Sequence, residues 1–105
     1  MSSTRHFDRD GRPLSLLEWA TLYEDMTYRR VAETTLPDGK WVSTVWLGLD
    51  HRFSEDGPPL TFETMVFQAR DNLDEVDMER YSTKEEAQQG HTAMVEKWSK
   101  IEVTP

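Results

Sequence analysis

WVSTVWLGLDHRFSEDGPPLTFETMVF, residues 41–67, is the stretch on which the reading of the fold turns. It holds two of the four tryptophans and three of the four phenylalanines, a density of large rings that marks it as core. Two strand-like apolar runs, 41–49 and 60–67, flank a polar loop that carries Asp50, His51, Arg52, Glu55 and Asp56. In the first run Trp41, Val45, Leu47 and Leu49 point one way, and Val42 and Trp46 point the other. In the second, Leu60, Phe62 and Val66 oppose Met65 and Phe67. Strands that are apolar on both faces need cover on both faces, which places these two at the centre of a sheet. Either helices supply that cover on both sides, or the uncovered face is a dimer interface. Pro58 and Pro59 cannot donate to a ladder, so the second strand begins near Leu60.

Upstream, Leu36-Pro37-Asp38-Gly39-Lys40 is a turn with a mechanism: proline presets φ and glycine supplies a positive φ. It joins 41–49 to a partly alternating segment at 27–36, which suits an edge strand. Before that, Ser15 and Glu18 form a capping box, and Leu14 and Trp19 a hydrophobic staple. The stripe Leu16, Trp19, Ala20, Tyr23 and Met26 predicts three turns of helix. Residues 1–13 show no period and read as a flexible arm.

Downstream, 68–75 reads as an acidic loop and 76–81 as a shorter strand at an edge. Ser82 with Glu85 is a second capping box, followed by the stripe Ala87, His91, Met94, Val95, Trp98 and Ile101. Gly90 costs about 1 kcal/mol relative to alanine inside this helix. With Ala87 it makes a notch that a ring such as Trp46 could fill. The expected fold is α+β: a four-stranded antiparallel sheet with N-terminal and C-terminal helices packed on it, α-β-β-β-β-α, one domain over 14–105.

A chain of 105 residues with 36% apolar residues supports one small core. It contains no cysteine, so neither a disulfide framework nor a thiolate metal site is available. No run approaches the roughly 20 apolar residues of a membrane span, and the N-terminus lacks a signal-peptide core. A cytoplasmic setting with no membrane association follows as the expectation. The net charge is −8, with five acids against one arginine in 71–82. Direct nucleic-acid binding is not expected, since it needs clustered lysine and arginine. The acidic balance suits solubility, a basic partner surface or mimicry of nucleic acid.

Phosphate loops, nucleophile elbows and zinc-protease motifs are absent, and no cofactor is expected. The catalytic candidates are Asp50, His51, Glu63 and Tyr81. Histidine as a residue type titrates near neutrality, so His51 at a strand end could do acid–base work; equally, Asp50 and His51 close the sheet edge with turn hydrogen bonds. His51 and His91 are candidate metal ligands only if the last helix crosses the sheet near that loop. Glu63 and Arg80 pair across neighbouring strands, or serve as a base and an anion holder. Arg80, Trp46 and Phe67 are the candidate binding residues. The acidic run Asp71, Asp74, Glu75, Asp77 lacks the spacing of a calcium loop.

The blocks GRPLSLLEWA, YRRVAETTLPDG, VSTVWLGLDHRF, GPPLTFETMVF and ERYSTKEEAQQGH span residues 11 to about 98. In these the chain resembles a family of small proteins of actinobacteria and their phages that carries no assigned activity. The resemblance implies a phage or mobile-element setting and a cytoplasmic site of action. The expected function is that of a small non-enzymatic interaction protein, acting through its sheet or acidic surface on a protein partner, itself included as a homodimer. The competing expectation is a small enzyme or metal-binding protein built on His51, Glu63 and His91.

Overall fold

A computed structural model describes residues 5–50 and 58–99. The order of elements is α1 (Leu16–Tyr23), α2 (Met26–Arg29), β1 (Arg30–Thr35), β2 (Trp41–Trp46), β3 (Phe62–Ala69), β4 (Asn72–Tyr81) and α3 (Lys84–Ser99). The strands form one antiparallel meander in the order β1-β2-β3-β4, so the α+β sheet has the expected class and the expected two central strands.

The first capping box forms as predicted: Glu18 N–H donates to Ser15 Oγ at 3.1 Å, and Ser15 N–H to Glu18 Oε1 at 2.8 Å. The helix is shorter than three turns, however. Asp25 accepts from Thr27 and Tyr28 N–H at 3.0 and 3.1 Å, and so starts a new turn, α2, where helix α1 would have continued. The face that packs is Trp19, Leu22 and Tyr23, with Leu14 beside them. Leu16 and Met26, expected on the stripe, are 66% and 55% exposed. The strand expected from Thr27 begins at Arg30 for the same reason.

Two further boundaries move. Residues 68–75 are not a loop: β3 runs to Ala69, the chain turns at Arg70–Asp71, and β4 starts at Asn72. Asp74 and Glu75 sit on an edge strand, where charged side chains meet water and deter a second sheet. The second capping box lies one residue later than read. Glu86 N–H donates to Thr83 Oγ1 at 3.0 Å, and Glu86 Oε1 accepts from Thr83 and Ser82 N–H.

One face of the sheet carries the core, in two apolar clusters. Leu36, Val42, Val66 and Met94 form one, flanked by Val76, Val95 and Trp98. Trp46, Phe62 and Ala87 form the other, on which α1 and α2 pack through Trp19, Leu22 and Tyr28. All three described helices therefore lie on the same side of the sheet. The ring over Gly90 is Tyr81, not Trp46: a Cβ there would run into Tyr81 Cζ. Ile101 lies outside the described residues.

The arm is corrected for residues 5–13, which are tied to the fold rather than free of it. His6 bridges to Leu49, Phe7 N–H donates to Gly48 C=O at 2.8 Å, and the His6 ring rests on Trp19 at 4.9 Å. Trp46 Nε1–H donates to Phe7 C=O at 2.9 Å, which satisfies the one polar atom of a fully buried indole. No helix among the described residues is long and apolar enough to cross a membrane.

Candidate functional site

Between the two apolar clusters runs a buried polar row. Thr44 and Thr64 are cross-strand neighbours with fully buried side chains and hydroxyls bonded to each other. Helix α3 sets His91 over them, with Nδ1 2.8 Å from Thr44 Oγ1 and Nε2 2.9 Å from Thr34 Oγ1. Both ring nitrogens are thus occupied by hydroxyls, as a neutral imidazole requires: one donates and the other accepts. Burial holds the His91 pKa below its ordinary 6.5. Tyr81 lies at the end of the row, its phenol pushed above 10.0 by burial, with the nearby Thr64 hydroxyl opposing.

This arrangement has a measurable consequence. A folded pKa below the unfolded value means that the unfolded chain binds more protons as pH falls through 6.5. Stability is then lost on the acid side of neutrality, before the depressed carboxylates Glu33, Asp38 and Asp77 begin to titrate below 4.5, 3.8 and 3.8. The urea midpoint is expected to fall from pH 7 to pH 5 in the native chain and to stay level over that window in His91→Gln. A parallel decline in both would remove His91 as its cause.

Among the described residues, the sequence-derived candidates do not converge. Glu63 is buried and pairs with Arg80, Nε to Oε2 3.1 Å, as cross-strand partners. Glu63 alternates with Thr64, so it points to the face away from His91. A shared Glu63–His91 site is therefore not formed. His51 lies outside the described residues. Asp50 accepts from Leu60 N–H at 3.1 Å and its own N–H donates to Arg5 C=O at 3.0 Å, bonds that close the strand end. Among the described residues, no three histidine or carboxylate groups gather around a metal position. Trp46, taken as a binding residue, is instead 0% exposed at the centre of the core.

Phe67 and Arg80 do lie on the helix-free face, in company the sequence reading did not single out. Trp41 and Phe67 are cross-strand neighbours with ring centroids 5.4 Å apart. The Arg70 guanidinium stacks over Trp41 at 4.9 Å and reaches Glu33 at 2.7 Å and Thr35 Oγ1 at 3.1 Å. Arg30 holds the other Glu33 oxygen at 2.8 Å. The Arg70 bond, with the charges of Arg30 and Arg70, lowers the Glu33 pKa against its partial burial. The Trp41 indole N–H is buried and, among the described residues, lacks a hydrogen bond of ordinary geometry, although it helps to lower the Glu33 pKa. Val45, Met65 and Met78 extend the same face, all only partly covered. The alternation of 41–45 and 63–67 carried this face; what it could not carry was that all the helices choose the other one.

The chain matches no family model, no curated protein and no solved structure.

Proposed function

We propose that this chain is a small non-enzymatic interaction domain that covers its helix-free sheet face with a protein surface, a second copy of itself included. The observation that carries the reading is the apolar row Trp41, Val45, Met65, Phe67 and Met78 on a face that no described helix covers. Soluble chains seldom leave a contiguous apolar patch without a partner. The rim is bipolar, with Glu33 held between Arg30 and Arg70, and Arg80 at the β4 edge paired to the buried Glu63, which suits a polar ring around an aromatic centre. On this reading the activity belongs in a mobile element and in the cytoplasm, as the resemblance to phage and actinobacterial proteins implies. Asp50, Glu63, Tyr81 and His91 have structural roles that account for them without chemistry.

Sedimentation is expected to show self-association that Phe67→Asp and Met65→Lys each abolish, with the thermal midpoint moving by only a few degrees. Both side chains are partly exposed, so their loss removes little core. A native chain that stays monomeric at high micromolar concentration would sink the homodimer form. A partner captured equally by the native chain and by both variants would sink the face.

A further inference from the structure

β4 is an edge strand, and no described strand pairs with its outer side. Thr61 N–H donates to Tyr81 C=O at 3.0 Å, which turns the Tyr81 backbone toward β3. By the alternation of an antiparallel ladder, Asp77 and Glu79 turn the same way, and Met78 and Arg80 present their backbone outward. The outward Met78 N–H is accordingly bonded by the carboxylate beside it, Asp77 Oδ1, at 2.8 Å. Next to this edge lies a groove of about 290 Å³ between β4 and α3. Tyr81 and Met94 give it an apolar floor, and Gly90 and Ala93 keep the helix wall low.

We propose that the β4 edge accepts a basic, extended segment of a partner protein as an additional strand, with alternate side chains laid into the β4–α3 groove. Main-chain bonds to the Met78 C=O and to the Arg80 N–H and C=O would supply affinity, and the groove would select side chains. Charge decides the occupant. The edge from Asp71 to Tyr81 carries Asp71, Asp74, Glu75, Asp77 and Glu79 against Arg80 alone. Asp77 is matched by Lys97 at 2.7 Å, whereas Glu79 is exposed and has no ion-pair partner among the described residues. A lysine or arginine facing the groove meets Glu79. A second copy of β4 would set acids against acids on a chain of net charge −8, so self-pairing at this edge is disfavoured.

The test uses the full chain and two fluorescent pools of short peptides, with lysine or glutamate at alternate positions and mixed apolar residues between. The lysine pool is expected to bind and the glutamate pool to fail. N-methylation of the lysine pool in one alternating register should weaken binding about tenfold or more, and in the other register leave it intact, because only one set of amides faces β4. Glu79→Lys, an exposed change, should weaken the lysine pool by a similar factor. Equal binding of the two pools, or equal binding of both methylated registers, would overturn strand addition.

Discussion

Trp46→Ala is expected to lose about 3–5 kcal/mol, a large share of the roughly 5–15 kcal/mol that holds a domain of this size. The side chain is fully buried and joins every layer of the second cluster. Tyr28 meets it edge-on at 4.9 Å, Phe62 pairs with it across the sheet, and Ala87 brings α3 onto it. Its Nε1–H donates to Phe7 C=O, so truncation also leaves that carbonyl without its partner. Trp46→Phe separates the contributions, since it keeps one ring and loses the indole bond; an intermediate loss is expected. Urea unfolding followed by far-UV circular dichroism measures both. An alanine variant with an unchanged midpoint would mean that Trp46 is not the keystone of the core.

The same residue shows what was legible in the sequence. Its strand, its face and its central position followed from period-2 alternation and from proline and glycine at the turns, which are local causes. The partners did not follow, because they are set by packing between distant segments. Tyr81 rather than Trp46 meets Gly90, since Phe62 pairs with Tyr81 and that pairing places the phenol under the helix. The end of α1 was misplaced because the apolar stripe continues to Met26, while Asp25 competes as a cap and wins. The β3–β4 hairpin was hidden by its acids, which mark a loop and an exposed edge strand alike. Among the site candidates, the Glu63–Arg80 pair was readable from cross-strand spacing. The hydroxyl row around His91 was not, because Thr34, Thr44 and Thr64 carry no periodic signal that distinguishes them from other strand threonines.

Gly48→Ala is expected to cost about 2–5 kcal/mol, the sum of a backbone term and a steric term that other positions can separate. Gly48 has φ of 74°, in the region that side chains rarely adopt. A Cβ there would run into Trp46 Cζ2 and lie 2.7 Å from Trp19 Cδ1. Neither indole can swing aside cheaply: Trp46 Nε1–H is bonded to Phe7 and Trp19 Nε1–H to Leu47 C=O at 2.9 Å. The close approach explains why the chain narrows to glycine where β2 ends and residues 5–13 cross it. Gly39 supplies the control, since its φ is 99° yet a Cβ would meet nothing within 4 Å. Gly39→Ala therefore reports the backbone term alone, about 1–2 kcal/mol, and the excess at Gly48 reports the two indoles. Gly48→Asn sharpens the division, because asparagine tolerates the left-handed region but still brings a Cβ. If sterics dominate, asparagine is no better than alanine at 48, while at 39 it recovers most of the loss. Equal unfolding midpoints for the two alanine variants would show that Trp19 and Trp46 yield freely, and the tight seam between α1 and β2 would have to be abandoned.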